Sequence, residues 1–150
     1  MKRSHLWLFV LGGGVFCLFD QYLKYMVRHV WTTPHYVIKP WLGWEYLANP
    51  GIAFSLPLPN AILIITTPVL LLLLAIGLIY YYRQNNFFAA ASLSFIILGA
   101  ISNFIDRILF SATIDYLRIF TGVINIADIL IVLGAFGLFF SSWRQVPSTE

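Results

Sequence analysis

Charge is what this sequence has least of. Lys and Arg number 9 and Asp and Glu 6, so only 10% of the 150 positions carry charge. A soluble domain of this length has too little interior to hide the 60% that is hydrophobic. With a mean hydropathy of +0.84, most of the chain is expected to have lipid as its solvent. The net charge of +3 is small, and Lys and Arg fall near the ends of apolar runs rather than in one patch. That distribution argues against a nucleic-acid surface and for lipid headgroups.

Cysteine is almost as scarce. Cys17 stands alone, which excludes an internal disulfide and a cysteine-rich metal site. Gly14-Val15-Phe16 make a poor lipoprotein cleavage box, because Phe16 sits where a small residue is needed. Cys17 therefore reads as a small lipid-facing or packing residue. A G-x-S-x-G elbow and an H-E-x-x-H zinc motif are both absent. His5 is expected on the membrane face opposite the acidic residues, and His29 and His35 in a surface connection. Repeats, low-complexity stretches and linkers are lacking too, so residues 1-150 read as a single membrane-embedded domain.

Long apolar runs are what the chain does have. A span needs about 20 mostly apolar residues, and four stretches qualify: Leu6 to Val27, Ala61 to Tyr82, Phe87 to Leu109 and Gly122 to Ser142. The chain opens Met1-Lys2-Arg3 as a signal peptide would. The apolar run that follows is long enough to span and has no small-x-small site, so it is expected to stay as the first helix. Pro68 is expected to kink the second span. Arg83-Gln84-Asn85-Asn86 is a tight turn. The connection from Arg28 to Asn60 is long, and His35–Lys39 and Trp44–Leu47 alternate roughly as strands do. With Trp31, Trp41 and Trp44 suited to the interface, it reads as a small β-element on the membrane surface. The third connection, Phe110 to Thr121, is short. The expected fold is an all-α integral membrane protein, with four transmembrane helices and a small extracytoplasmic β-element between helices 1 and 2.

Four spans put both termini on one side, and Lys2, Arg3, Arg83 and Arg144 place that side in the cytoplasm. The same topology brings every Asp in the chain to one membrane face. Asp20 and Lys24 lie near the end of span one, and Asn103, Asp106 and Arg107 near the end of span three. Asn125 and Asp128 lie in the first turns of span four, with Asp115 and Asn49 in connections on that side.

Charges kept in the hydrocarbon at about 2.5–3.5 kcal/mol each usually pair, line a wet cavity or do chemistry. Asp20 and Lys24, spaced i, i+4, are expected to pair. Asp106, beside Arg107 and on one face with Asn103, is either an ionised anchor or an interfacial polar helix end. Asp115 and Asp128 have no adjacent cation. Two carboxylates brought together keep one proton between them, which holds a general base and a general acid at one pH. The base can activate water and the acid can polarise a carbonyl. Spacing alone leaves open whether the two meet or are satisfied separately. A proton or ion pathway would place ionisable groups through the depth of the membrane, whereas span two has none. A structural scaffold with buried ion pairs is the other rival.

Five motifs resemble those of lipoprotein signal peptidase, also called signal peptidase II. D-Q-x-x-K matches Asp20-Gln21-Tyr22-Leu23-Lys24, and N-x-G-x-A-F matches Asn49-Pro50-Gly51-Ile52-Ala53-Phe54. G-N-x-x-D-R matches Ser102-Asn103-Phe104-Ile105-Asp106-Arg107. V-D-F matches Ile114-Asp115-Tyr116, and F-N-x-A-D matches Ile124-Asn125-Ile126-Ala127-Asp128. Ser102 stands where the motif has Gly, Tyr116 and Ile124 where it has Phe, and Pro50 sits inside the asparagine motif. The resemblance implies a catalytic pair of Asp115 and Asp128. It implies a site lined by Asn49, Asn103, Arg107 and Asn125, with Asp20, Lys24 and Asp106 in support and Gly51 as a hinge of a closing loop. The implied reaction cuts a bacterial prolipoprotein just before its diacylglyceryl-modified cysteine, outside the cytoplasmic membrane, with no metal or cofactor. The expected partners are that substrate and membrane lipids, and the chain is expected to act as a monomer.

Overall fold

The structure, a computed structural model, describes residues 3–52 and 56–143. Lys2, Arg144 and the Ala53-Phe54 part of the asparagine motif lie outside the described residues. Four helices are long and apolar enough to cross a membrane. They are α1 (Arg3–His29), α2 (Asn60–Arg83), α3 (Phe87–Phe110) and α4 (Ile126–Trp143). Strands β1 (His35–Ile38) and β2 (Leu42–Asn49) lie between α1 and α2, and β3 (Thr113–Ile119) and β4 (Gly122–Ile124) between α3 and α4.

The helices differ sharply in surroundings. α2 has no buried residue and no acidic residue, runs through Pro68 without a break, and packs chiefly on α3. α3 touches all three other helices and β3. Its Ala89-Ala90-Ala91-Ser92-Leu93-Ser94 run is buried, because small side chains let neighbouring backbones come close where apolar bulk gains nothing over lipid. The closest approach is to α4. A Cβ on Gly99 would lie 2.5 Å from the Ala127 carbonyl, and one on Gly134 would lie 2.5 Å from the Ser92 carbonyl. Only glycine fits at either crossing, and the Gly99 crossing seats the first turn of α4 against α3. The turn between α2 and α3 is as tight as expected. Asn86 caps α3 by accepting from the Ala89 N–H at 3.1 Å, and Ser111 closes the helix in the left-handed region at φ 57°. Cys17 is half-buried, with its thiol 3.6 Å from the Leu98 carbonyl, as a packing residue would be.

The β-element is larger than the long connection alone could build. It is an antiparallel sheet in the order β1-β2-β3-β4, with two strands from each of two connections. Leu47 pairs with Asp115 and Asn49 with Thr113, so the end of α1 and the end of α3 lie on one side, as the topology requires. Its aromatic surface is exposed: Trp31, Trp41, Trp44 and Phe120 all lie open, and His35 stacks on Trp44.

Two sequence expectations are corrected. The fourth helix begins at Ile126, not Gly122. Val123 and Ile124 are β-branched and pair with Arg118 and Leu117, and Asn125 then starts the helix by accepting the Asp128 N–H at 2.8 Å. Asp115 belongs to a strand rather than a loop. Ile114 and Tyr116 turn inward against Val27 of α1, which fixes β3 to the end of the bundle.

Candidate active site

The four aspartates do converge, and they fall into two groups. The first is dry. Asp20 and Asp106 are fully buried and Lys24 nearly so. The Lys24 ammonium lies 2.8 Å from Asp20 and 2.8 Å from Asp106. Asp20 was expected to pair with Lys24 and does. The cation beside Asp106 is also Lys24, not its chain neighbour: the Arg107 guanidinium turns away to donate to the Gly51 carbonyl at 2.6 Å. Two carboxylates around one ammonium leave a surplus negative charge, and neutral donors surround it. Ser102 Oγ donates to Asp20 at 2.6 Å and Tyr116 Oη donates to it at 2.8 Å. Gln21 Nε2 donates to Asp106 at 3.2 Å, as does the Ile114 N–H at 3.1 Å. The N–H groups of Ile126 and Ala127 donate to Asp20 at 3.0 and 3.3 Å, so this residue of α1 satisfies the opening amides of α4.

The second group is held by amides. Asn125 Nδ2 donates to Asp115 Oδ1 at 2.7 Å, and Asn49 Nδ2 to Asp115 Oδ2 at 3.2 Å. Asn103 Nδ2 donates to Asp128 Oδ1 at 2.9 Å, and the Asn125 N–H to Asp128 Oδ2 at 3.3 Å. Asn125 Nδ2 also reaches Asn103 Oδ1 at 3.1 Å, so Asn125 joins the surroundings of the two carboxylates. No salt bridge reaches Asp115 or Asp128 among the described residues. Burial, and after it the charge of Asp128, pushes the Asp115 carboxyl up to about 7, against the pull of the Asn49 and Asn125 amides. Asp115 is 2% exposed while Asp128 is only half-buried, so the more open carboxylate faces whatever enters. A cleft of about 330 Å³ is lined by Pro50, Gly51, Pro57, Leu58 and Pro59, starting one residue after Asn49 in the chain. Asn60 Nδ2 ties the start of α2 to the Arg107 carbonyl at 3.3 Å.

Comparison with known proteins decides the family. The family described as Signal peptidase (SPase) II matches residues 13–144. The chain belongs to the signal peptidase II family. The lipoprotein signal peptidase of Syntrophus aciditrophicus is 33% identical over 147 residues, covering 89% of this chain and 90% of that protein. That of Blochmanniella pennsylvanica is 32% identical over 140 residues, covering 86% and 82%. A bacterial membrane enzyme solved in meso at 2.3 Å superposes with a TM-score of 0.79 at 21% identity, covering 99% of this chain and 93% of that one. That likeness establishes the fold. The protein is thus a multi-pass membrane peptidase of the signal peptidase II family.

Within that family frame, the described residues of all five motifs reach one end of the helices. Asp115, Asp128, Asn49, Asn103 and Asn125 form one hydrogen-bonded set, and Asp20, Lys24 and Asp106 another. Asn103 Oδ1 links the two by accepting from Lys24 at 3.1 Å. Arg107 donates to the carbonyl of Gly51, which lines the cleft. Sequence reasoning missed Gln21, Ser102 and Tyr116 as members of the site. The available signal was a run of polar groups inside apolar spans, each of which has to find a partner in lipid.

Proposed function

We propose that this signal peptidase II relative is an aspartic endopeptidase. It removes the signal peptide from diacylglyceryl-modified prolipoproteins, cutting just before the lipidated cysteine, with Asp115 and Asp128 as the catalytic pair. The observation that carries the reading is a pair of carboxylates at one end of the spans, held by asparagine amides and lacking the ammonium that neutralises Asp20 and Asp106. At neutral pH such a pair keeps one proton. Asp115, the more buried member, is the better site for it, which leaves Asp128 as the base that takes a proton from water. The hydroxide attacks the scissile carbonyl, the protonated carboxyl polarises that carbonyl, and a proton then passes to the leaving amine. Asparagine N–H groups line the space where negative charge develops. The lipid chains of the substrate stay in the bilayer while its peptide bond enters the cleft beside Gly51.

The enzyme acts as a monomer in the bacterial cytoplasmic membrane, with the sheet and site on the outer face and both termini inside. The test compares one lipobox peptide with and without diacylglycerol on its cysteine. Cleavage of the lipidated form alone is the expected result. Equal turnover of both forms would mean a general membrane peptidase, and cleavage of neither would end the proposal. Labelling of cysteines placed at positions 37 and 120 should succeed from outside intact cells. Labelling only from the cytoplasm would invert the orientation.

A further inference from the structure

Ser102 and Tyr116 both depart from the motif, which has Gly and Phe at their positions. Neither Gly nor Phe has a side-chain donor. The two departures come from different elements, α3 and β3, yet their hydroxyls reach the same carboxylate. Ser102 donates to Asp20 Oδ2 at 2.6 Å and Tyr116 to Asp20 Oδ1 at 2.8 Å. Asp20 and Ser102 are fully buried and Tyr116 is 5% exposed, so no water competes for these bonds. Asp20 in turn accepts the N–H groups of Ile126 and Ala127 at 3.0 and 3.3 Å. These are the first two amides of α4, which the helix itself leaves without partners. A carboxylate at that spot also meets the positive end of the helix dipole. Asp128 is the next residue along the chain. Tyr116 Oη also accepts the Ile126 N–H directly at 3.2 Å, so Ser102 reaches the turn before Asp128 through Asp20, and Tyr116 reaches it both through Asp20 and directly.

We infer that Ser102 and Tyr116 are positioning residues: together they clamp Asp20, and Asp20 sets the first turn of α4 and hence the placement of Asp128. The use of that placement in turnover rests on the function proposed above, whereas the clamp itself does not. With one ammonium shared between Asp20 and Asp106, Asp20 depends on neutral donors to stay in one orientation. A chain with the motif's own Gly and Phe has two fewer.

The test uses the full-length protein in detergent or lipid, as wild type, Tyr116→Phe, Ser102→Ala and the double variant. Both substitutions remove a hydroxyl at nearly constant volume. Amide hydrogen exchange at Ala127, whose N–H bonds Asp20 and not Tyr116, reads the clamp, with the middle of α4 as the internal reference. Turnover of a lipidated lipobox peptide reads its use. Each single variant should exchange faster at Ile126 and Ala127 only. Each should lose roughly tenfold in kcat with KM within about twofold, the size expected for a lost hydrogen bond to a charged group. The double variant should lose less than the product of the two, because both act through Asp20. Unchanged exchange at Ala127 in a folded Tyr116→Phe or Ser102→Ala protein overturns the clamp. So does faster exchange spread along all of α4, which would mark general loosening. Faster local exchange with wild-type kcat overturns the positioning role. A wild type that leaves the peptide uncut would end the activity reading, and exchange alone would then decide the clamp.

Discussion

Asp106 and Asp115 lie nine positions apart, and both are almost wholly buried. Their surroundings are opposite. Asp106 faces the Lys24 ammonium, a glutamine amide and a backbone N–H. Asp115 faces two asparagine amides and a second carboxylate's charge. Burial alone therefore does not set what a carboxylate does here. Asp106 is tied into an ion pair, whereas Asp115 has no ion pair among the described residues, and its carboxyl is pushed up to about 7.

The sharpest way to break this comparison is to remove the proton-exchanging groups. Asp115→Asn and Asp128→Asn should each lower kcat by at least about 10²–10⁴ if acid–base catalysis supplies its usual share. The double variant should lose little more, because the two act as a unit. Near wild-type turnover by a folded Asp115→Asn protein would falsify the pair. The same variant carries a stability signature. The folded Asp115 carboxyl titrates near 7, against an ordinary value of 3.8. Between those values the unfolded chain releases a proton that the folded chain keeps, so raising the pH through that window costs the folded state stability. The thermal midpoint of Asp115→Asn minus that of wild type should rise from about pH 4 to about pH 7 and then level off. A constant difference would mean that Asp115 titrates normally.

Next in size is Lys24→Met. It leaves two buried carboxylates without their cation, and breaking a buried ion pair typically costs about 3–5 kcal/mol. Here the expected loss is in thermal stability and yield, with turnover per folded molecule less affected than in the Asp115 variant. The reverse pattern would put Lys24 in the chemistry. Gly99→Ala should have a smaller effect. The added methyl would press on the Ala127 carbonyl, and overpacking of this kind costs about 1–3 kcal/mol. A melting curve and kcat together should both fall, since Asp128 follows Ala127. The smallest effect belongs to α2. Ile65 is 71% exposed on a helix with no buried residue, so Ile65→Val should change stability by no more than about 0.5 kcal/mol. A large loss would mean that α2 has a partner beyond α3 and lipid.

Much of this was legible in the residues before any coordinates. Helices α1, α2 and α3 could be read from run length, because lipid leaves a spanning segment almost no option but helix. Convergence of the acidic residues followed from the alternating direction of the spans, which puts the ends of the first and third beside the starts of the second and fourth. The sheet was only half legible. His35–Lys39 and Trp44–Leu47 stood out in the long connection and fall on β1 and β2, whereas Thr113–Ile119 hid between two apolar runs, and Val123-Ile124 merged with the helix that follows. A period of two is hard to see when both flanks are apolar. At the site, the i, i+4 pair of Asp20 and Lys24 was readable, but adjacency misled for Asp106 and Arg107. Neighbours on a helix point about 100° apart, and tertiary packing gave Asp106 to Lys24 and Arg107 to Gly51. Ser102 and Tyr116 were visible only as departures from a motif, because nothing local to either residue points at Asp20.

The pairing of β2 with β3 bears on how the molecule is built. Leu47 and Asp115 are partners across the sheet, yet α2 and α3 both lie between them in the chain. Spanning helices insert first and associate afterwards. When the first hairpin of helices is already in the bilayer, β1 and β2 have nothing to their open side, and Asn49 has no carboxylate to hold. Only when the second hairpin is in place does Asp115 lie between Asn49 and Asn125. The hydrogen bonds that join Asn49, Asp115 and Asn125 are thus among the last this chain can close, however early its first helices are in place.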